Sequence, residues 1–282
     1  VTTSLLESRQ ASDGPDRENM SDRRAALHLG TERIVLSESN GRPVPKETRS
    51  HDRWFQHIAI VTSDMDRAYD HLRQHRIRHV SGGPQRLPDW NPKTAGIRAF
   101  YFHDPDQHTL EIIQFPRGKG SPRWQEADDE LFRGIDHTAM VVADTDTSVE
   151  FYRDRLGFEV VGESENFGPE QERLNNVFNA RLRITSLKAS SGPGIELLEY
   201  LSPSDGRAYP ADSRSNDLWC WKTRLLVPDT STSSPSSLEQ TPPTALIVSR
   251  SNEGVAIVVD PDGHRLQLTF VGSKGKHHVQ GP

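Results

Sequence analysis

Apolar positions fall into short runs of two periods, and the runs follow one another in a fixed order. Residues 54–62 are almost continuously apolar, which predicts a strand buried on both faces. Met65, Ala68, Tyr69 and Leu72 follow at helical spacing, with Ser63 or Asp64 placed to cap the helix. A Gly/Pro/Trp/Asn-rich loop from Gly82 to Pro92 leads to predicted strands at 97–103 and 108–115, joined by the turn Asp104-Pro105-Asp106-Gln107. The polar stretch 117–133 reads as a linker, and then the order restarts. A strand is predicted at 135–143, and a helix at 146–156 with Gly157 as its stop. Strands follow at 158–163, 180–188 and 194–201. After the low-complexity Ser/Thr/Pro stretch 229–244, strands resume at 245–249, 255–259 and 264–270. Upstream, 25–38 predicts two short strands joined at Gly30-Thr31, and a proline- and charge-rich connection runs from Asn40 to Arg53. Residues 1–24 read as a disordered tail and 271–282 as a second polar tail.

The repeated order is also a repeated sequence. A shift of 80 places His57, Ala59, Val61, Asp64, Asp66, Arg73 and Val80 on His137, Ala139, Val141, Asp144, Asp146, Arg153 and Val160. A shift of 156 places the turn starting at Asp104 on that starting at Asp260. A shift of 165 places Pro45, Arg49, Ser50, Asp52 and Trp54 on Pro210, Arg214, Ser215, Asp217 and Trp219. One small unit is therefore used near 54–116, 134–201 and 217–270. A fragment of another lies at 25–45, where Ile34 to Glu38 is similar to Ile195 to Glu199.

Three stretches carry a family resemblance: His57-Ile-Ala-Ile-Val61 with its helix, Asp104-Pro-Asp-Gln-His-Thr-Leu-Glu111, and His137-Thr-Ala-Met-Val141 leading to Glu150-Phe-Tyr-Arg-Asp-Arg-Leu-Gly-Phe158. Over about residues 25–270 the chain resembles the vicinal oxygen chelate superfamily of glyoxalases, bleomycin-binding proteins, epimerases and extradiol dioxygenases. The resemblance implies an α+β fold of repeated βαβββ modules forming two glyoxalase-like half-barrel domains. It assigns 25–116 to an N-terminal domain with a truncated first module, and 134–270 to a C-terminal domain with a degenerate last module. It also implies a metal held by a His from the first strand and a Glu from the last strand of each module. The N-terminal fragment lacks the first strand and helix of a full module, like a longer chain entered partway through.

Composition narrows the classes. Apolar residues are 33% of the 282; with glycine this is roughly 40%, under the ~45–50% usual for a globular chain, so polar tails and loops are expected beside the cores. No apolar run approaches the ~18 residues of a membrane span. Val1 to Asp22 holds no signal-like stretch, so a cytoplasmic location is the expectation. The single cysteine, Cys220, excludes disulfide scaffolds and Cys-based zinc sites. A net charge of −6 from well-mixed signs argues against a nucleic-acid surface. The expected partner is a small molecule. Oligomeric state stays open.

Strand alternation puts His57 on a face with Phe55, Ala59 and Val61, Glu111 with Thr109, Ile113 and Phe115, His137 with Ala139 and Val141, and Glu199 with Leu197 and Leu201. A lone His on a strand is more often a hydrogen-bonded core residue, and a lone Glu is usually half exposed. Recurrence at matching places shifts that balance toward ligands. Burying an unpaired carboxylate costs several kcal/mol, so each should be paired, protonated or metal-bound. His57, Glu111, His137 and Glu199, with Glu38 as the matching Glu of the fragment, are the candidate ligands. They suit a divalent ion: Zn, Ni, Mn or Fe(II). In the last unit Lys222 and Gln267 stand where the resemblance asks for His and Glu, so that unit reads as chemically eroded.

If neighbouring modules pair, His57 and Glu111 join Glu38, and His137 joins Glu199. If 54–116 pairs with 134–201, all four converge, and a separation of the two His rings above roughly 10 Å would exclude that. The leading function is a metal-dependent, glyoxalase-like lyase or isomerase acting on a small oxygenated substrate. Its metal would stabilise an enediolate, and Glu111 or Glu199 would act as proton base. The alternatives are an extradiol-type Fe(II) dioxygenase and a non-catalytic binding protein of the resistance type. Loops 82–96 and 163–179 would set specificity, and Trp54, Trp90, Phe100, Phe102 and Trp219 are the aromatics offered for a pocket.

Overall fold

The computed structural model describes residues 2–5, 20–126, 129–228, 246–251 and 255–271. Strand β1 (Thr2–Leu5) pairs with β2 (Met20–Leu29), which turns at Gly30-Thr31 into β3 (Glu32–Ser39). Residues 2–5 and 20–24 are thus strand rather than disordered tail, because β2 continues along β3 beyond residue 25 and β1 adds to its free edge.

The first complete module runs β4 (Gln56–Thr62), α1 (Met65–Gln74), β5 (Arg78–His79), β6 (Gln85–Arg86), β7 (Arg98–His103) and β8 (Thr109–Gln114). A 3-10 turn at Pro122–Gln125 buries Trp124. The second runs β9 (Phe132–Val142), α2 (Thr145–Val149), which continues as a π-helical turn over Glu150–Arg155, β10 (Glu159–Phe167), α3 (Pro169–Asn175), β11 (Arg181–Lys188) and β12 (Gly194–Ser202). The last comprises β13 (Lys222–Pro228), β14 (Leu246–Ser251), β15 (Val255–Val259) and β16 (Arg265–Val271). The 229–244 stretch lies outside the described residues.

The helices start where the carboxylates stand. Asp64 accepts from Asp66 and Arg67 N, and Asp144 from Thr147 N. Gly157, at φ 75°, ends the π turn in the left-handed region. Helix α3 falls in a stretch read as loop; its signal is Pro169 at the first helical position, with Glu170 and Glu172 in the first turn.

The two complete modules share one nine-stranded sheet, ordered β10-β11-β12-β9-β4-β8-β7-β5 with β6 on β7. Its centre is the antiparallel junction of β4 and β9. Of the two pairings open from sequence, the modules at 54–116 and 134–201 pair across the 117–133 linker. Pairing follows the β4–β9 register rather than chain order. The last unit forms its own sheet, β13-β16-β15-β14, and the N-terminal fragment a third, β1-β2-β3.

Each face of the large sheet has its own core. Helix α1 sets Met65 and Ala68 against Phe100, Phe102 and Ile112. On the α2 side, Tyr152 and Leu197 pack with Ala256, Val258, Leu266 and Leu268 of β15 and β16. The face away from both helices, here the inner face, gathers Phe55, Tyr101, Ala139, Leu182, Leu198 and Tyr200, covered by Leu87 and by Leu174 of α3.

Two reciprocal clasps tie the halves together. Ser39-Asn-Gly-Arg42 through Trp54 and Ser204-Asp-Gly-Arg207 through Trp219 obey the 165-residue shift. Arg42 grips Asp217 with Nε at 3.0 Å and a terminal NH2 at 2.6 Å, and Arg207 grips Asp52 at the same two distances. Arg42 lies over the ring of Trp219 and Arg207 over that of Trp54. Gly41 and Gly206 allow the close approach: a Cβ at either would collide with a backbone carbonyl, Asn216 O or His51 O.

Candidate metal centre

Register at the β4–β9 junction builds the site. His57 lies opposite Ala139, and Ala59 lies opposite His137. On the outer flanks Glu111 of β8 lies beside Ala59, and Glu196 of β12 beside Ala139. Each alanine is fully buried and leaves room for the imidazole across from it and the carboxylate next to it. Two His and two Glu therefore meet around two small side chains on the inner face.

The donors converge. His57 Nε2 lies 3.1 Å from Glu111 Oε2, His137 Nε2 lies 3.5 Å from the same oxygen, and His137 Nε2 lies 3.4 Å from Glu196 Oε2. The ring centroids of His57 and His137 are 5.9 Å apart, within the distance a shared site requires. His57, Glu111 and His137 are buried, whereas the Glu196 side chain is one-quarter exposed and opens the cluster on that flank. Tyr101 packs its ring 4.8 Å from that of His57.

The orientation of His137 is fixed from behind. Its Nδ1 donates to Asp136 Oδ2 at 3.0 Å, and Asp136 also accepts from Trp124 Nε1. That leaves Nε2 aimed at the carboxylates, buried and without a hydrogen-bond partner. A carboxylate behind a ligating imidazole is the usual support of a metal-bound histidine. Burial alone would lower the imidazolium of His137; Glu196, Asp136 and Glu111 outweigh it and hold it well above the usual histidine range. Burial likewise works to raise the Glu111 carboxyl, but the facing imidazoles of His137 and His57 hold it below its ordinary value.

The residues fit a divalent ion. Ligand atoms of His57, Glu111 and His137 all lie within 4.8 Å of one another. Two imidazoles and carboxylate oxygens are donors for a first-row metal. Nε2 of His137 is buried and makes no hydrogen bond, and an ion bound there would displace the proton of the ring.

Three of the five sequence candidates, His57, Glu111 and His137, come together; Glu199 and Glu38 do not. Glu199 Oε2 instead accepts from Thr145 N at the start of α2, 3.2 Å away. Its counterpart in the other module is Gln114, whose Oε1 accepts from Met65 N at the start of α1. Glu38 is half exposed and pairs with Arg23. Glu196 takes the place expected of Glu199. The register that carries Glu111 beside His57+2 carries Glu196 beside His137+2, and a residue at 199 faces the helix side. A shift of 85 would have shown it, aligning Glu111-Ile-Ile-Gln114 with Glu196-Leu-Leu-Glu199. Asp136 was also missed; it is the residue before the candidate histidine. In the last module Gln267 lies beside Arg224, two residues after Lys222, so the erosion read from sequence falls on the equivalent positions.

A βαβββ pair joined at its first strands, with His and Glu from each module meeting on the inner face, defines the class of protein. The chain belongs to the Glyoxalase/Bleomycin resistance protein/Dioxygenase superfamily, whose model matches residues 7–112 and 134–216. Glyoxalase I from Zea mays is similar in structure, at 17% identity and a TM-score of 0.56, over 94% of this chain and 83% of the maize protein. A glyoxalase family protein from Bacillus cereus matches at 18% identity and a TM-score of 0.43, over 51% of this chain and 97% of its own. At these identities the likeness to maize glyoxalase I establishes the fold. A comparison with curated protein sequences finds no match. Among the described residues no helix is long and apolar enough to cross a membrane.

Proposed function

We propose that the chain is a divalent-metal-dependent enzyme, a glyoxalase-like lyase or isomerase that acts on a small oxygenated substrate at the His57–Glu111–His137–Glu196 cluster. The observation that carries this reading is the approach of both histidine Nε2 atoms to one carboxylate oxygen, with a second carboxylate 3.4 Å from His137. When bound, the metal supplies Lewis-acid stabilisation of negative charge developing on adjacent substrate oxygens. His57, His137 and Glu111 would hold it, since they are buried and already joined. Glu196 is the proton-transfer residue in this reading: it is the one carboxylate of the set open to solvent, and Ser186 Oγ steadies its other oxygen at 2.9 Å. Tyr101 and Phe55 keep water from the inner side.

A second reading rests on the buried trio alone. Two His and one carboxylate form the donor set of extradiol-type Fe(II) dioxygenases, with Glu196 left to the substrate. The test is metal content after purification without chelator. Zn, Ni, Mn or Fe at one per chain, lost in His57→Ala, supports the site. Oxygen uptake with a catechol after anaerobic Fe(II) loading selects the dioxygenase, and its absence favours the lyase or isomerase. Failure to bind any of these ions would leave only a non-catalytic binding role.

A further inference from the structure

Helix α1 ends in two histidines, on the side of the large sheet away from the metal centre. His71 and His75 are both exposed, while Met65 and Ala68 of the same helix pack against Phe100, Phe102 and Ile112. Residues four apart on a helix lie about 5–6 Å apart at Cβ, so the two side chains share one stripe of its surface. Here the imidazole rings draw together: their centroids are 4.6 Å apart, with the planes 43° from parallel. Both rings are held in place. His75 closes the helix, with its backbone N donating to Leu72 O and its ring Nδ1 donating to the carbonyl of His71 at 2.9 Å. The ring of His71 rests edge-on against Phe132, with centroids 5.8 Å apart.

A carbonyl oxygen only accepts, so Nδ1 of His75 carries the ring proton and Nε2 keeps the lone pair. An imidazole oriented through Nδ1–H to a backbone carbonyl is a usual setting of a metal-ligating histidine. Two imidazoles on adjacent positions of one ion, with bonds of about 2.0–2.1 Å, have centroids roughly 4.5–5.5 Å apart. The observed 4.6 Å lies at the lower end, where the angle at the ion is close to a right angle, as in tetragonal coordination. The pair also stands at the carbonyl end of α1, where the helix dipole favours a cation. Arg73 turns to the other flank of the helix, over the ring of Tyr69 at 5.7 Å. A basic residue suits the last turn of any helix, which accounts for either histidine singly. It does not account for two rings in contact, which as imidazolium ions would repel one another.

We propose that His71 and His75 form a second metal site, independent of the central cluster, which takes a divalent late first-row ion, Cu(II) ahead of Ni(II) and Zn(II). The chain supplies two imidazole nitrogens and water fills the remaining positions. Imidazole donors and a near-right angle between them set the order, since Cu(II) binds nitrogen sites most tightly among the divalent first-row ions and prefers tetragonal geometry. The bound ion ties residue 71 to residue 75 and so clamps the last turn of α1. With two protein donors on an open surface the ion exchanges freely, unlike one held in the buried centre.

The experiment counts Cu(II) bound by the chelator-treated chain in calorimetric titrations of wild type, His71→Asn and His75→Asn. Both positions are exposed, so the variants are expected to fold. Each should lose one Cu(II) site from the wild-type isotherm, because a single imidazole in place of the chelating pair holds the ion about 100-fold more weakly. Carbethoxylation of wild type with diethyl pyrocarbonate, read by mass spectrometry, assigns that ion to residues. Cu(II) should protect His71 and His75 together, over the same concentration range, and leave the exposed His28 reactive. Protection of one ring without the other, protection of neither, or equal Cu(II) counts in wild type and both variants overturns the proposal. Wild type and variants share the central cluster, so a failure of that cluster to bind metal lowers every count alike and leaves this comparison intact.

Discussion

His57 and His137 sit diagonally across the antiparallel junction of β4 and β9, each facing the alanine two residues beyond the other: His57 opposite Ala139, His137 opposite Ala59. The arrangement is a local twofold relation between two copies of the pattern His-x-Ala. It makes both modules contribute equally to one centre, and it makes the alanines part of the centre although they hold no functional group.

Asp136 is expected to matter through His137 alone. Asp136→Asn keeps an oxygen for Trp124 but loses the charge behind the imidazole. Metal affinity should fall by about 10–100-fold, the usual effect of removing such support. Competition titration against a chelator reads this directly, and unchanged affinity would show that His137 is not a ligand.

Glu196 and Glu199 lie three residues apart on β12 and should behave in opposite ways. Glu196→Gln is expected to reduce turnover strongly with little change in thermal stability. Glu199→Gln keeps an acceptor for Thr145 N, as Gln114 provides in the other module, and loses only the charge at the start of α2, so it should cost about 0.3–1 kcal/mol while metal content and activity persist. Denaturant melts and metal analysis on the two variants, side by side, decide between them.

The contrast between these glutamates marks how far the sequence was legible. Repeated His-x-Ala at a fixed shift pointed to the two histidines that converge and to the module order. Glu111 followed because the Asp-Pro-Asp turn fixes where β8 begins. Glu196 did not follow, since β12 begins after a different loop, at Gly194, and carries two glutamates on opposite faces. Only pairing with β9 decides which face is inner. The convergence of modules across the linker was equally undecided, because partners in a sheet are chosen by register and side-chain fit over 80 residues of separation. Helix α3 was hidden because its seven residues, about two turns, carry Leu174 as their one large apolar side chain, so no spacing repeats.

The alanines give a steric test of the centre. Ala59→Leu places a larger side chain between His137 and Glu111, which flank it on either strand. Overpacking of this kind costs about 1–3 kcal/mol, so the chain should still fold. Metal content should drop to background. A variant that folds and retains full metal would show that the ion sits elsewhere.

The clasps set the response to acid. Asp52 accepts from Arg207 Nε and NH2, from Arg207 N and from Arg49 N. Asp217 mirrors it with Arg42 and Arg214 N. Burial works to raise both carboxyls, but these bonds hold each below its ordinary 3.8. A folded pKa below the unfolded one means that the stabilising contribution is complete above about pH 4 and is lost as pH falls through the folded value. Removing one partner of a fully buried pair costs about 3–5 kcal/mol; with the arginines about two-fifths exposed, Asp52→Asn should cost about 1–3 kcal/mol at pH 7. In urea titrations at pH 7 and at pH 3, the gap between wild type and Asp52→Asn should therefore narrow at the lower pH, because wild type begins to lose there what the variant never had. Asp217→Asn should repeat the pattern with similar size, and the double variant should add the two losses if the clasps act independently. A gap that stays constant with pH would mean that Asp52 contributes through hydrogen bonds alone and that its charge is not what ties the two halves together.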